Sequence, residues 1–415
     1  MSTEKKEYFD VAVLGGGASG MMAAGVAASR GKKVVLLEKN KELGKKLKIT
    51  GGGRCNITNA EFDSRAFLSH FKKAEKFLHS PLSKFGVQDT FDFFAARGLP
   101  LVVQARKRAF PKTENAHDVA KVLEIFLKHG GVAVRTGHKV ISLKTEDGKI
   151  TGVVTTKGEI VAEKFILATG GQSHTETGST GDGFAWLSQL GHTIKSPSPN
   201  IVPLKVPDTW VHALQGVSLS FMRITFYLDE KKQFSKTGKI LFTHFGLSGP
   251  LILNSAYEVG ELLEGGTVTA KIDLFPDTDL GSLGKQVLRV FDQNKNKQFK
   301  NVFPEIAPRG TSDVFMQMLS LDPEKRVHSI TVEERKQIVH LLKALPLAVS
   351  GLMGFDRAVI SDGGVILEEV DTKTLRSKLY ENLYLTGDIL HINRPSGGYS
   401  LQLCWTTGFV AGSSV

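Results

Sequence analysis

Residues 9–40 read FDVAVLGGGASGMMAAGVAASRGKKVVLLEKN, and this stretch decides the fold. "FDVAVL" is an apolar run of strand length that enters a glycine turn. "ASGMMAAGVAASRG" carries the small side chains of a closely packed helix and stops at Gly31, and "KKVVLLEKN" is a second buried strand. The order is βαβ. The turn holds Gly15-x-Gly17-x-x-Gly20. Gly15 permits the tight turn, Gly17 lets the backbone approach a pyrophosphate, and Gly20 lets helix and sheet close up, with the helix N-terminal N–H groups facing phosphate charge. Glu38 ends the second strand, 18 residues past Gly20, where a carboxylate accepts from adenosine ribose hydroxyls and disfavours a 2′-phosphate. The stretch predicts an α/β, Rossmann-like dinucleotide-binding domain. Its chemistry alone leaves FAD and NAD both open.

Outward from this motif, 415 residues are enough for about two or three domains. The chain is 41% hydrophobic and 23% charged, ordinary for a soluble globular protein. The N-terminus MSTEKKEYFD is charged and lacks an apolar signal region, and the apolar run after it is punctuated by glycine and followed by SRGKK, which argues against a membrane span. A cytoplasmic enzyme is expected, with no membrane partner. Two cysteines, Cys55 and Cys404, are too few for a disulfide framework and form no CxxC. Lys and Arg outnumber Asp and Glu by 53 to 42, a formal charge of +11. That excess fits a polyanionic partner, nucleic acid above all, or mere compositional drift; clustering on one face separates the two.

Residues 61–98 and "NAHDVAKVLEIFLKHGG" read as helical, followed by short alternating strands with turns at "EDGK" and "TKGE". The proline-rich "SPSPNIVPLKVP" reads as a crossing point between domains. Strand-like "SFMRITFYLDE" and "TVTAKIDLF" follow, with "GKILFTHFGLSGPLILNSAYEVG" between them as a turn opening into a helix. Residues 277–345 lean helical and charged. Near the C-terminus, "LYLTGDI" is a strand running into Gly387 and Asp388. It suits either a carboxylate beside a sugar-like polyol or a capping Asp at a strand-to-helix turn.

The stretches "VLGGGASG", "KKLKITGGGRCNITN", "FILATGG" with "GSTGDGFAWLSQLGH", "LFTHFGLSGP" and "LYLTGDILHINRPSGGYSLQLCWTTGFVAG" span nearly the whole chain. On these the protein resembles the FAD-dependent oxidoreductases described as NAD(P)/FAD-dependent or aminoacetone oxidase-like, within the glutathione-reductase-type flavoprotein fold. The resemblance implies a discontinuous FAD-binding domain from 1–192 and 350–415. It also implies a β-barrel-like substrate-side domain from 193–276 and 325–349, and a helical insertion at 277–324. It further implies that Gly15, Gly17, Gly20 and Glu38 hold the ADP half of FAD, and that Thr169 and Gly170 lie where the chain passes back near the nucleotide. Gly387 and Asp388 would hold the pyrophosphate and ribityl end, and Gly397, Gly398 and Tyr399 would lie near the isoalloxazine. Ala18, Ser19, Lys39, Lys46, Gly52, Gly53, Arg54 and Asn56 complete the expected cofactor contacts. Relatives commonly carry "GE" and an aspartate-rich turn before "TGGYN"; here Gly387-Asp388 is followed by "HINRPSGGYS", so His391 and Arg394 change the local electrostatics.

Flavin brings hydride or single-electron transfer, and the protein brings orientation, charge and exclusion of water. The catalytic candidates are Arg54, His244 and Tyr399, although His244 reads equally as a structural hydrogen bond in its loop. No metal cluster and no GxSxG elbow is present in the sequence. The absence of a second glycine-rich βαβ unit after residue 190 leaves the electron donor open between NAD(P)H and another reductant. Three readings result. One is hydride transfer from reduced flavin to a C=C or C=N bond of a small molecule. The second is dihydrouridine synthesis on 23S ribosomal RNA, to which some members of the family are linked and for which Arg106, Lys107 and Arg108 would meet phosphates. The third is a non-catalytic FAD-bound scaffold.

The stretch "TGGGRCN" (50–56) first suggests a redox cysteine. The only available partner is Cys404, in helix-like "SLQLCW", which reads better as a small buried group. The glycines then read as backbone passing tightly against FAD, Arg54 as charge at the pyrophosphate or substrate mouth, and Asn56 as a turn-fixing side chain.

Overall fold

The computed structural model describes residues 7–415; the charged start MSTEKK lies outside the described residues. The chain divides into two compact units, one running to Pro199 and resuming at Val359–Val415, the other Asn200–Ala358.

The first unit is built on a seven-stranded sheet. β1 (Glu7–Leu14) pairs in parallel with β2 (Val34–Glu38), Val11 opposite Val34 and Leu14 opposite Leu37. On its other side β1 pairs in parallel with the strand Gly158–Leu167. Ala133–Thr136 extends the sheet beyond β2, and Leu383–Leu385 pairs with the far half of Gly158–Leu167. The parallel strands are apolar where both faces are covered, at Val11–Leu14, Val34–Leu37, Phe165–Leu167 and Leu383–Leu385. Antiparallel strands Val140–Glu146 and Lys149–Thr155 are joined by Asp147-Gly148, both left-handed as a two-residue hairpin turn requires. The carboxyl ends of the parallel strands lie along one edge, where open α/β sheets place their ligand crevice.

Helix α1 (Ala18–Ser29) is buried from Ser19 to Ala28, because the sheet covers one side and the C-terminal helix Tyr399–Ser414 the other. The two helices meet through glycine. A Cβ on Gly408 would come within 2.5 Å of the Ser19 carbonyl oxygen, and one on Gly412 within 2.4 Å of that of Ala23. This is why neither helix shows an apolar stripe: each is buried all round. A buried polar group anchors the C-terminal helix to the small sheet of Thr58–Asn59, Leu101–Gln104 and Arg108–Pro111. In it Gln402 Oε1 accepts from Thr58 Oγ1 (2.6 Å) and Thr90 Oγ1 (2.9 Å), and Trp405 Nε1 donates to the Ile57 carbonyl (2.9 Å).

The second unit carries a seven-stranded sheet ordered Leu345–Val349, Val268–Asp273, Ser218–Leu228, Lys231–Thr243, Gly246–Ser248, Leu204–Lys205, Gly351–Leu352. Its first and last strands are separated in sequence by Ser350 alone, so the antiparallel sheet curls until its edges meet, as in a barrel. Helices Leu280–Gln293, Ser312–Leu319 and Val332–Lys343 join one apolar core with its buried face, through Leu283, Val287, Phe315, Ile338 and Leu342. The last of these starts at a capping box, Thr331 Oγ1 accepting from the Glu334 N–H and Glu334 returning to the Thr331 N–H.

Two segments differ from the sequence expectation. The proline-rich "SPSPN" is not a bare linker. It is the strand Ile194–Asn200, paired with Ile360–Val365, and the chain passes from one unit to the other at 199/200 and back at 358/359. Alternate prolines leave the intervening residues free to pair along one edge. "LFTHFGLSGP" is a hairpin before it is a helix. His244 and Phe245 form its tip, the strand Gly246–Ser248 follows, and the helix Pro250–Leu253 begins only after Gly249.

Candidate cofactor site

The crevice lies in the first unit at the carboxyl ends of its parallel strands. The three loop glycines are there for different reasons. A Cβ on Gly15 (φ +111°) would lie 2.4 Å from the Ala168 carbonyl oxygen, and one on Gly20 would lie 1.9 Å from that of Gly15. Packing therefore demands both. Gly17 has ordinary extended angles (φ −82°, ψ −170°), and nothing stands within 4 Å of where its Cβ would be. No neighbour explains a glycine there; an incoming group that must reach the backbone does. Gly17 caps α1 without a side-chain acceptor, so the first-turn N–H groups of that helix, from Ala18 and Ser19 onward, face the crevice mouth.

Glu38 is 8% exposed and braces the loop. Its Oε2 accepts from the Gly16 N–H (2.8 Å), and Oε1 accepts from Asn40 N–H (2.7 Å) and Nδ2 (2.8 Å). The carboxylate is thus oriented before any ribose arrives. Lys39 is turned away to the following loop, donating to Thr180 Oγ1 (2.6 Å) and pairing with Asp182 (2.8 Å). Lys46 donates to Ser173 Oγ (3.1 Å); burial pushes its ammonium below the ordinary lysine value, and the Asp388 carboxylate opposes that shift.

The second glycine turn, Thr50–Gly53, puts Gly51, Gly52 and Gly53 in succession at φ +58°, +68° and +82°. A Cβ on Gly51 would strike the Asn56 nitrogen (2.8 Å), whereas Gly52 and Gly53 look onto open space. Cys55 points inward, fully buried, and burial drives its thiol up to about 12. Cys404 is also buried and free, and burial together with nearby Asp388 raises it. Neither thiol forms the thiolate that disulfide exchange needs near neutral pH. Arg54 stacks on the Phe110 ring (4.4 Å), with its side chain 40% exposed beside Glu114 (3.5 Å). Asn56 spans the small sheet and the C-terminal helix: Nδ2 donates to the Ala109 (3.2 Å) and Thr58 (3.1 Å) carbonyls, and Oδ1 accepts from the Gly398 N–H (3.0 Å).

Gly398 (φ +103°) would drive a Cβ to 2.3 Å from the Thr58 carbonyl carbon, and it starts the C-terminal helix with no side-chain cap. Tyr399 is buried among Phe67 (5.0 Å), His70 (4.9 Å) and Phe71 (5.9 Å). Burial and the Glu61 carboxylate hold its hydroxyl above the usual tyrosine value. Gly387 (φ +73°) leaves no room for a Cβ beside Ser19 Oγ (2.5 Å) and donates its N–H to Thr407 Oγ1 (3.0 Å). His244 lies on the other unit, exposed on its hairpin tip with its ring edge-on to Phe245.

Asp388 is not an isolated acid. Arg394, 2% exposed, pairs with its Oδ1 through Nη2 (2.6 Å), donates Nη1 to the Ile392 carbonyl, and reaches Ser400 Oγ with Nε (3.2 Å). The clamp ties Asp388 to the first turn of the C-terminal helix. Sequence reading singled out Arg394 for its charge but not for this partner; their six-residue spacing carries no period that would reveal it. Asn40, Ser173 and Gln402 were missed for the same reason.

Two buried polar atoms on this rim have no protein partner: Thr169 Oγ1, next to left-handed Gly170, and Asn59 Oδ1, whose amide nitrogen is held by the Gly397 and Arg106 carbonyls. Orphaned groups, uncapped helix starts and glycines without a steric reason are what a hydroxyl- and phosphate-rich ligand would complete. The residues fit a dinucleotide.

Crevice and fold together define an oxidoreductase of the FAD-binding Rossmann class. Residues 9–414 match the family described as HI0933-like protein Rossmann domain, and the chain belongs to it. It is 30% identical to the 3-dehydro-bile acid delta(4,6)-reductase of Clostridium scindens, over 97% of this chain and 98% of that protein. It is 26% identical to the ribosomal RNA dihydrouridine synthase of Escherichia coli, over 97% of each. Among solved structures, the open conformation of a flavocytochrome c3 fumarate reductase superposes with a TM-score of 0.53 at 16% identity, covering all of this chain and 79% of the other. A 3-ketosteroid-Δ4-(5α)-dehydrogenase from Rhodococcus jostii also gives 0.53 at 16%, covering 100% and 98%. These show the fold. Among the described residues no helix is long and apolar enough to cross a membrane, and no group of three or more His, Cys, Asp or Glu could hold a metal.

Proposed function

We propose that this protein reduces a carbon–carbon double bond conjugated to a carbonyl. The observation that carries the reading is the crevice itself. Its open glycines, uncapped helix starts and unpartnered polar atoms suit a dinucleotide, and its two buried thiols do not suit disulfide chemistry, which favours direct hydride transfer to substrate. Bound FAD, once reduced by a two-electron donor such as NAD(P)H, supplies the hydride. The chain supplies the rest. Gly17, Gly52 and Gly53 admit the cofactor to backbone N–H groups, and Glu38 is braced to accept from the ribose. The Asp388–Arg394 clamp offers a carboxylate oxygen of fixed direction to the ribityl end. The uncapped start of the C-terminal helix at Gly398 favours negative charge near the ring. Tyr399, kept protonated by burial, is the candidate donor to the substrate carbonyl, and Arg54 at the rim is the candidate contact for an anionic substrate group. His244 is carried only by the sequence motif around it, and its role is tested by His244→Ala.

The relatives support the bond type, since a delta(4,6)-reductase and a dihydrouridine synthase each saturate a C=C bond conjugated with a carbonyl. Two substrate readings follow, a cyclic enone or a uridine in RNA. The +11 charge favours the second. The test is anaerobic: flavin-loaded protein is reduced, then mixed with a cyclic enone or with uridine-containing ribosomal RNA, and return of oxidised-flavin absorbance is followed with product analysis. Reoxidation with formation of the saturated carbonyl is expected for one class. Inertness toward both refutes the proposal.

A further inference from the structure

The outer face of the second unit's sheet combines features that nothing inside the fold explains. Phe221 lies in the strand Ser218–Leu228 at a bulge between Leu219 and Met222, left-handed at φ +59° and 74% exposed. A bulky side chain in that backbone region is strained, and its exposure forgoes burial. Bulges re-aim side chains, and this one turns an aromatic ring to solvent. Two positions on, Arg223 is exposed; Tyr227 follows on the same face, with the Lys271 ammonium 5.4 Å above its ring. Lys232, opposite Tyr227, and Lys239 further along the neighbouring strand add two more exposed cations. None of these four cations makes an ion pair among the described residues. The acid nearest in register, Asp273 opposite Arg223, is neutralised by Lys343 (2.7 Å). Between the cations stand small hydroxyl side chains, Thr225 bonded to Ser235 (2.8 Å), so nothing tall interrupts the surface.

We propose that this face is a platform for single-stranded RNA, with Phe221 and Tyr227 stacking bases and Arg223, Lys232, Lys239 and Lys271 meeting phosphates. An open sheet with exposed Phe221 and half-buried Tyr227 among cations suits unpaired bases, because every base offers a π face and every linkage a negative charge. A duplex offers no free base faces. The inference rests on the RNA reading above and deepens it by locating a binding surface.

The test uses flavin-loaded full-length protein and a fluorescent 12-nucleotide uridine-rich RNA, with affinity read by anisotropy across a salt series. Phe221→Ala should weaken binding about tenfold, the loss of one stacked base. Arg223→Ala with Lys271→Ala should lower the slope of log affinity against log salt by about 1.4, two phosphates' worth. Thermal melting and flavin content of these variants should match wild type, since the changed side chains are exposed. Equal affinity for a duplex of the same length, unchanged binding in both variants, or binding to phosphatidylserine vesicles instead of RNA overturns the platform. If RNA binds through these residues but no dihydrouridine forms, the platform stands and the RNA reading of the reaction falls. If dihydrouridine forms while both variants bind like wild type, the reverse holds.

Discussion

Gly17→Ala separates a glycine kept for the ligand from one kept for the fold. In the apoprotein the new methyl meets nothing within 4 Å, and the backbone angles suit alanine. The two expected effects on stability are small and opposed. Reduced chain entropy gains about 0.4–1 kcal/mol, and alanine is a poorer N-cap than glycine by a similar amount. The thermal midpoint of the apoprotein should therefore move by no more than ~2 °C. The methyl instead occupies the approach to the first-turn N–H groups. Forcing one extra carbon into a filled contact costs about 1–3 kcal/mol, which for FAD is roughly a 5- to 150-fold weaker Kd. Gly20→Ala is the control. Its methyl would sit 1.9 Å from the Gly15 carbonyl, so the apoprotein itself should lose stability, by about 2 kcal/mol or more. The assay strips flavin, melts each apoprotein, and titrates FAD by fluorescence quenching. Gly17→Ala that binds FAD like wild type, or that unfolds like Gly20→Ala, refutes the assignment of the open space to cofactor.

Other expectations are as direct. Arg394→Met removes the guanidinium hydrogen-bonded to the Asp388 carboxylate and should cost about 1.5–3 kcal/mol, with Asp388→Asn in the same chain restoring part of it; additivity of the two changes in urea melts would contradict the clamp. His192 Nδ1 donates to the Glu369 carboxylate (2.8 Å), its Nε2 faces Ser377 Oγ (3.0 Å), and burial lowers its pKa although Glu369 opposes. The folded state therefore binds that proton less readily than the unfolded chain. Stability should fall as pH drops below about 6.5, until the lowered folded value is passed, and His192→Asn should flatten that segment of a urea-midpoint profile. Cys55→Ala should leave the rate of flavin reduction within about threefold of wild type, and native protein should resist iodoacetamide, because the thiolate is scarce. Rapid labelling of either cysteine would undercut the reading of both as buried apolar groups.

The βαβ unit was legible because each of its features is local: a strand-length apolar run, a glycine at each step of a turn, an acid at the next strand's end. The redox reading of Cys55 could also be set aside from sequence, since no second cysteine stood near it. The Arg394–Asp388 clamp was not legible, because a buried ion pair across a turn follows no periodicity. Lys39 shows the same limit from the other side. Its position beside Glu38 suggests a cofactor contact, yet its ammonium is held by Thr180 and Asp182, residues far along the chain. The strand pairing of Ile194–Asn200 was not legible, because proline marks turns on average and only the partner Ile360–Val365 reveals an edge strand.

The glycine seam between α1 and the C-terminal helix has a consequence for how the protein is made. Ser19 and Ala23 leave the ribosome early, but the helix whose Gly408 and Gly412 press on them is translated only after the whole second unit. Until then α1 has one covered side, and its buried methionines and alanines stay open to solvent or chaperone. The nascent crevice is also without Gly387, Asp388 and Gly398. The second unit, continuous in sequence, can fold while it waits. A frameshift or ribosome stall between residues 358 and 399 would therefore release a chain with its second unit complete and α1 without its helical cover.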